Sequence, residues 1–148
     1  LHPRVARAMV NLLGECSEVF DPFCGSGGIL IEAGLTGHEV VGFDIDKIQV
    51  ARAKINCKHF GVDARIEIKD ATLVKEMDYF VCDLPYGLNT KTSDGLFEKF
   101  FDGLKFKRAV VGCAGFQDVA HLIEDREVLY EFTLPLHKNL KKKILVIE

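Results

Sequence analysis

The chain has 148 residues, the size of a single domain, and 48% of them are apolar while 28% are charged, as in an ordinary folded globular protein. Its 19 basic and 22 acidic residues give a net charge of −3, which argues against a domain that holds nucleic acid mainly through a basic excess. No run of about 18 apolar residues occurs, so the sequence predicts no membrane span. The 5 cysteines are dispersed; they indicate neither a disulfide framework nor a zinc site and are typical of a cytoplasmic protein.

Short apolar strands alternate with helices along the whole sequence. The predicted helices cover residues 3–13, 29–35, 47–60, 96–104 and 118–125, and the predicted strands cover residues 18–23, 39–45, 64–71, 79–82, 109–113, 128–136 and 143–147. Ile48, Ala51 and Ile55 lie at helical spacing and are predicted to form the inner face of the third helix. Only a short turn around Lys138 separates the last two strands, which predicts a hairpin. The sequence therefore predicts an α/β fold with a doubly wound, seven-stranded, mostly parallel sheet and one antiparallel strand in the C-terminal hairpin.

The segment between the first strand and the following helix, Asp21-Pro-Phe-Cys-Gly-Ser-Gly-Gly28, is rich in glycine. In an open α/β sheet, ligands bind beyond the carboxyl ends of the strands, where the strand order reverses. Glycines allow a tight turn and a close approach of the backbone to a ligand, and the helix that follows offers unpaired N–H groups. The spacing is neither GxGxxG nor that of a phosphate loop. The segment is therefore either a ligand-binding loop of another kind or a bare tight turn.

Acidic residues close the next two strands. Asp44 ends the second strand, where a carboxylate can accept both hydroxyls of a ribose; the alternative is a cap on the third helix, which Asp46 fits better. Asp70 and Ala71 close the third strand. Asp70 can accept a hydrogen bond from an adenine amino group, with the Ala71 N–H beside the ring, or is simply a loop acid. The glycine-rich loop favours the ribose interpretation of Asp44.

The segment Asp83-Leu-Pro-Tyr-Gly87 closes the fourth strand. Pro85 holds Leu84 extended, so the Leu84 carbonyl and the Asp83 carboxylate can accept the two hydrogens of one amino group, while Tyr86 stacks on the attached ring. Such an exocyclic amine is a poor nucleophile because its lone pair is delocalised, and two acceptors localise that lone pair toward an electrophilic methyl group. The segment predicts methyl transfer to an amine without a metal; the alternative is a proline-terminated strand with a core tyrosine.

Three segments carry a family resemblance: Arg4–Asn11, Asp21–Gly34 and Asp83–Gly87. Through them the sequence resembles class I S-adenosylmethionine-dependent methyltransferases, which have a Rossmann-like sheet, and more closely the catalytic domain of archaeal THUMP-containing tRNA guanosine-10 N2-methyltransferases. The resemblance implies S-adenosylmethionine as cofactor and the N2 amine of a tRNA guanosine as methyl acceptor. It implies that the cofactor is held by Asp21, Cys24, Gly25 and Gly27 at its methionine end and by Asp44, Asp70 and Ala71 at its adenosine end, and the target base by Asp83, Leu84, Pro85 and Tyr86.

The resemblance covers essentially the whole chain, so residues 1–148 are expected to form one catalytic domain. The amino-terminal THUMP-containing region that binds tRNA in the family is expected to be absent from this chain. Many members have proline where this chain has Leu84, which leaves the backbone slightly less rigid here. The predicted sixth strand runs parallel to the first four, so its carboxyl end and the following turn face the active-site edge. The candidate tRNA-phosphate contacts are Lys138, Lys141, Lys142 and Lys143, unless they form a solvated hairpin, and Lys91 in the loop 88–95, which can also act as a lid.

Other functions stay open at this point. An N6-adenine methyltransferase of DNA or RNA needs the same two acceptors. The missing GxGxxG counts against a nicotinamide-binding oxidoreductase, and the intact Asp83 segment counts against a non-catalytic binding module. A cytosine C5-methyltransferase needs a nucleophilic cysteine near that segment, where Tyr86 stands instead, and Cys82 and Cys113 lie in apolar strands predicted to be core.

Overall fold

The computed structural model describes residues 1–85, 95–115, 117, 119–123, 125–137 and 140–148. Its strands are β1 (Glu18–Asp21), β2 (Glu39–Asp44), β3 (Ala64–Ile68), β4 (Tyr79–Asp83), β5 (Arg108–Ala114), β6 (Val128–His137) and β7 (Leu140–Ile147). Its α-helices are α1 (Pro3–Leu12), α2 (Gly28–Leu35), α3 (Lys47–His59) and α4 (Leu96–Phe101), with short 3-10 turns at Ala71–Leu73 and Ala120–Ile123. Across these described ranges, no helix is long and apolar enough to cross a bilayer.

The seven strands form one sheet in the order β3-β2-β1-β4-β5-β7-β6. Strands β1 to β5 are parallel, and β7 is antiparallel to both β5 and β6, so the predicted C-terminal hairpin and the direction of β6 are confirmed. The chain passes from β1 to β2 and β3 on one side and then to β4 and β5 on the other. The strand order therefore reverses between β1 and β4, which is where a ligand cleft is expected.

Helices cover both faces of the sheet, which confirms the doubly wound prediction. One apolar cluster joins α1, α2 and α3 to one face of the sheet, and a second joins α4 and the 3-10 turns to the other face. Helix α1 begins as predicted with Pro3 in its first turn, and the His2 side chain accepts the Arg4 N–H at 3.2 Å as an N-terminal cap. These layers leave the carboxyl ends of β1 to β4 accessible to a ligand.

The inner face of α3 differs from the prediction. Ile48 and Ile55 are 55% and 68% exposed, whereas the buried face carries Val50, Ala53 and Cys57. Both sets of residues have helical spacing, so periodicity alone does not distinguish them. The glycine-rich loop approaches Ala53 closely, and a branched side chain such as isoleucine would not fit there. Small residues therefore decide which face of α3 packs inward.

The last strand begins earlier than predicted, and this changes the interpretation of its lysines. Strand β7 starts at Leu140 rather than Lys143. Alternate residues of a strand face opposite sides of a sheet, so Lys142 lies on the same side as the buried Ile144 and Val146. Lys142 is only 1% exposed. The prediction that Lys142 contacts tRNA phosphates is therefore wrong.

Two other predicted elements are shorter than expected. The predicted strand 64–71 ends at Ile68, because the Asp70 side chain accepts the Thr72 N–H at 2.9 Å and caps a 3-10 turn instead. In place of the predicted helix 118–125, the described residues contain one 3-10 turn, Ala120–Ile123. Strand β3 lies at one edge of the sheet.

Candidate active site

A cleft of about 380 Å³ lies beyond the carboxyl ends of β1 to β4. It brings together three of the predicted acids, which are far apart in the sequence but share one edge of the sheet. The cleft is lined by Pro22, Phe23, Asp44, Ile45, Lys69, Asp70, Ala71, Asp83, Pro85 and Leu96. A wider groove of about 570 Å³ lies at the opposite end of β2 and β3, and its lining includes no residue of the glycine-rich loop or of the Asp83 segment. The candidate site is therefore the smaller cleft, at the point where the strand order reverses.

The glycine-rich loop is held in place by Asp44. Its Oδ2 accepts the Gly25 N–H at 2.9 Å, and its Oδ1 accepts the Asp46 N–H at 2.8 Å. Gly25 and Gly27 have φ angles of +49° and +90°, a backbone region that favours glycine. A Cβ at Gly27 would also lie 3.2 Å from the Cβ of Ala53. The loop, the end of β2 and the start of α2 thus form one unit beside the cleft.

The adenosine end of the predicted cofactor site is marked by Asp70, Ala71 and Ile45. Asp70 Oδ1 accepts both the N–H and the hydroxyl of Thr72, at 2.9 and 2.8 Å, so the carboxylate is oriented by its own turn. Ala71 is buried, but Ile45 is 73% exposed although it lines the cleft. A large apolar side chain beside a cleft is typical of a ligand-binding surface. Ile45 is a cleft-lining residue that sequence reasoning missed.

Asp21 and Cys24 belong to the glycine-rich loop, but both are buried and neither is among the residues that line the cleft. Asp21 is 1% exposed and accepts the Phe23 N–H at 3.2 Å. Burial raises the pKa of Asp21 well above its usual range; the Phe23 hydrogen bond opposes this shift, and the carboxylates of Asp83 and Asp44 increase it. Burial is also the largest cause of the raised pKa of the Cys24 thiol, and the negative charges of Asp21 and Asp44 raise that pKa further. Contact of these two side chains with the methionine end of a cofactor stays a prediction.

The thiols nearest the Asp83 segment are core residues, as predicted. Cys82 and Cys113 are fully buried. Burial raises the pKa of Cys82 well above its usual range and raises that of Cys113 to about 11. A protonated, buried thiol is a poor nucleophile, so neither cysteine fits a covalent C5-methylation mechanism.

Asp21→Asn is expected to make stability less dependent on pH. Because the pKa of Asp21 is raised in the folded state, the folded protein binds more protons than the unfolded chain above about pH 4, and the wild type loses stability as pH rises. Asparagine keeps an acceptor for the Phe23 N–H and does not titrate. The free energy of unfolding of the variant, relative to the wild type, should therefore increase from pH 4.5 to pH 7.5 in urea titrations. A constant difference across this range would contradict the raised pKa.

The Asp83 segment comprises residues 83–87, of which the structure describes 83–85. At this segment the hydrogen-bonded ladder between β4 and β5 is interrupted. The Leu84 N–H still donates to β5 at 2.8 Å, and a regular parallel ladder would continue with the Ala114 N–H donating to the Leu84 carbonyl. Instead the Ala114 N–H donates to Oε1 of Gln117 at 2.7 Å, and the pairing of β4 with β5 ends at Asp83. Nε2 of Gln117 donates to the Pro85 carbonyl at 3.2 Å. Gln117 thus releases the Leu84 carbonyl from the ladder.

Asp83 is joined to the last strand by an ion pair. Its Oδ1 is bound by Nζ of Lys142 on β7. The strand between them contributes Gly112, where a Cβ would lie 2.9 Å from Asp83 Oδ1 and 3.4 Å from Lys142 Nζ. Sequence reasoning missed the roles of both Lys142 and Gln117. The position of Lys142 two residues before Ile144, in an apolar strand, was the available signal, whereas nothing in the sequence marks Gln117.

The remaining predicted contacts are only partly described. Tyr86, Lys91 and Lys138 lie outside the described residues. Lys141 is exposed, and Lys143 is partly exposed with its Nζ 3.7 Å from Glu131 Oε1. Lys141 and Lys143 therefore stay candidates for tRNA-phosphate contacts.

Comparisons with known proteins agree with this geometry. Residues 1–115 match the family described as an RMKL-like methyltransferase domain. The chain is 37% identical to a tRNA (guanine(10)-N2)-dimethyltransferase of Methanothermobacter thermautotrophicus, over 100% of the chain and 49% of that protein. It is 32% identical to a probable tRNA (guanine(10)-N2)-dimethyltransferase of Methanothermococcus thermolithotrophicus, over 97% of the chain and 96% of that protein.

A solved structure has the same fold. The tRNA (uracil-54, C5)-methyltransferase of Pyrococcus abyssi, in complex with S-adenosyl-L-homocysteine, superposes with a TM-score of 0.82 at 19% identity, over 98% of this chain and 37% of that one. The chain spans about half the length of the Methanothermobacter relative and a smaller share of this structure.

Proposed function

Because the chain belongs to the family of RMKL-like methyltransferase domains, we propose that it transfers a methyl group from S-adenosylmethionine to the exocyclic N2 amine of a guanosine in tRNA. The observation that carries the proposal is the cleft where Asp83, beside the released Leu84 carbonyl, meets Asp44 and Asp70. The Asp83 carboxylate and the Leu84 carbonyl, as acceptors for an amine, thus lie beside the carboxylates of Asp44 and Asp70, as acceptors for a nucleoside. The family match favours methyl transfer over the nicotinamide-dependent and non-catalytic alternatives.

The residues of the cleft fit S-adenosylmethionine. The Asp44 carboxylate suits the ribose hydroxyls, Asp70 suits the adenine amino group, and Ile45 with Ala71 offers an apolar surface to the ring. The turn at Gly25 brings the backbone of the loop to the methionine end. When bound, S-adenosylmethionine supplies a methyl group made electrophilic by its positively charged sulfur.

Two groups of the chain prepare the amine. The Asp83 carboxylate and the Leu84 carbonyl accept its two hydrogens, which localises the nitrogen lone pair and aims it at the methyl group. Asp83 also stabilises the positive charge that develops on the nitrogen. Holding the reacting atoms in line contributes most of the acceleration in this kind of reaction.

The choice of tRNA guanosine, and of position 10, rests on the names of the relatives. Since the chain spans about half the length of the first of them, the activity of the whole protein is part of the proposal. We expect residues 1–148 to act as the catalytic domain in the cytoplasm, with a separate region of the whole protein holding most of the tRNA. Lys141 and Lys143 would add local phosphate contacts.

Gln117→Leu is expected to lower kcat about tenfold while the Kd for S-adenosylmethionine stays unchanged. Leucine cannot accept the Ala114 N–H or donate to the Pro85 carbonyl, so the ladder can close on Leu84 and remove one acceptor from the amine. A tenfold change corresponds to about 1.4 kcal/mol, in the range of one hydrogen bond. Single-turnover methylation at saturating cofactor measures it.

Gln49→Leu, on α3, is the matched control for this change and should leave kcat unaltered. If Gln117→Leu also left kcat unaltered, the released Leu84 carbonyl would not be an acceptor for the amine.

Analysis of the methylated product tests the proposed function. The whole protein is incubated with labelled S-adenosylmethionine and an unmodified tRNA transcript, and the digested nucleosides are separated. We expect the label in N2-methylated guanosine. Label in N6-methyladenosine would favour the adenine alternative, and tRNA without label would contradict the proposal.

A further inference from the structure

A buried lysine sits next to the acceptor proposed for the amine. Lys142 is 1% exposed, and its Nζ is paired with Oδ1 of Asp83. Lysine is almost never fully buried unless it is paired. The pair connects β7 to the carboxyl end of β4 across β5, and the absence of a side chain at Gly112 on β5 leaves the space for it.

Stability alone does not account for this lysine. The next residues on the same side of β7, Ile144 and Val146, are 3% and 1% exposed, so an apolar side chain at position 142 would extend the core. Replacing a buried ion pair with apolar residues of similar volume is often neutral or stabilising. The charge at position 142 therefore points to a role in the cleft that Asp83 lines.

Asp83 lies close to other acidic side chains. The buried carboxyl of Asp21 on β1 interacts with it, and Asp44 on β2 lines the same cleft. The Lys142 ammonium on β7 pairs directly with the Asp83 carboxylate.

We propose that Lys142 is a positioning residue for methyl transfer, whose ammonium group fixes the orientation of the Asp83 carboxylate at the cleft. The inference rests on the proposed function, because Asp83 is the acceptor proposed there. Lys142 acts through Asp83 and does not touch the amine. An oriented, ionised carboxylate keeps accepting hydrogen bonds as positive charge develops on the nitrogen.

Lys142→Met keeps the length of the side chain and removes its charge. In the whole protein we expect kcat to fall about 10- to 100-fold, with an unchanged Kd for S-adenosylmethionine. A merely structural role would lower the fraction of the protein that binds S-adenosylmethionine, and would leave the kcat of that fraction unchanged.

A double-mutant cycle identifies the partner through which Lys142 acts. In an Asp83→Asn background, Lys142→Met should change kcat very little further, because coupled residues are not additive. This double variant removes both charges of the pair, so it tests the inference even if one single variant folds poorly. Lys107→Met is the matched control: Lys107 pairs with Asp78 at 2.7 Å on the exposed opposite end of β4, and its loss should leave kcat unchanged.

The outcomes separate this inference from the proposed function. An unchanged kcat in Lys142→Met, with normal methylation by the wild type, would overturn the role of Lys142 alone. Equal fold-losses in the wild-type and Asp83→Asn backgrounds would overturn it too, because Lys142 would then act independently of Asp83. Absence of guanosine methylation in the wild type would overturn the proposed function and, with it, this inference.

Discussion

Asp83→Asn is expected to lower kcat for methyl transfer by about 100- to 1,000-fold while the Kd for S-adenosylmethionine stays nearly unchanged. An amide oxygen is a weaker acceptor than a carboxylate and carries no charge to stabilise the developing cation. The paired Lys142 would bind the amide oxygen, which leaves the amide nitrogen, a donor, where the amine needs an acceptor. Single-turnover kinetics and calorimetric titration of the cofactor measure the two quantities.

Asparagine is the informative substitution at this position, rather than alanine. Asp83→Ala would leave the buried Lys142 ammonium without the carboxylate that compensates it, and breaking a buried pair in this way costs about 3–5 kcal/mol of stability. A loss of activity would then be confounded with unfolding. Asp78→Asn is the matched control, since Asp78 precedes the same strand and its carboxylate is exposed. An equal loss of cofactor affinity in Asp83→Asn would move Asp83 into the cofactor site and contradict its assignment.

Asp44→Ala is expected to show the opposite pattern, with the Kd for S-adenosylmethionine rising about 10- to 100-fold. The substitution removes the acceptor proposed for the ribose and releases the N–H groups of Gly25 and Asp46. The glycine-rich loop then loses its anchor to β2. Once the cofactor is saturating, kcat should change much less than in Asp83→Asn, because the amine-binding groups are intact. Calorimetry gives the Kd, and the rate at saturating cofactor gives kcat.

Asp63→Ala is the control for this second change. Asp63 is exposed immediately before β3, at the end of the sheet away from the cleft. Its removal should leave the Kd unchanged. If Asp44→Ala bound S-adenosylmethionine as tightly as the wild type, Asp44 would be only an anchor for the loop.

The sequence was sufficient to predict the sheet and the meeting of three acids at one edge of it. The carboxyl ends of parallel strands lie at the same edge of a sheet. Asp44, Asp70 and Asp83 end predicted strands, so the sequence placed them together before any contact between them was known. The hairpin followed from the short turn between two apolar strands. These inferences depend on chain order and strand direction, which local patterns encode well.

Features that depend on tertiary packing were not predictable in the same way. The face of α3 depends on how closely the glycine-rich loop approaches Ala53, which periodicity does not contain. Lys142 was interpreted as part of the turn, because residues 141–143 are all lysines. Nothing in this run distinguishes Lys142, which faces the same side of β7 as Ile144, from its two neighbours. Gln117 replaces a backbone partner inside the ladder, and no residue pattern predicts which side chain will do so.

The central claim is that an exocyclic amine, held by Asp83 and Leu84, is the methyl acceptor. The most direct test compares two tRNA transcripts that differ only at position 10, one with guanosine and one with inosine, which lacks the N2 amine. We predict that the whole protein transfers labelled methyl from S-adenosylmethionine to the guanosine transcript and none to the inosine transcript. Equal labelling of the two transcripts would contradict the assignment of that amine as the acceptor.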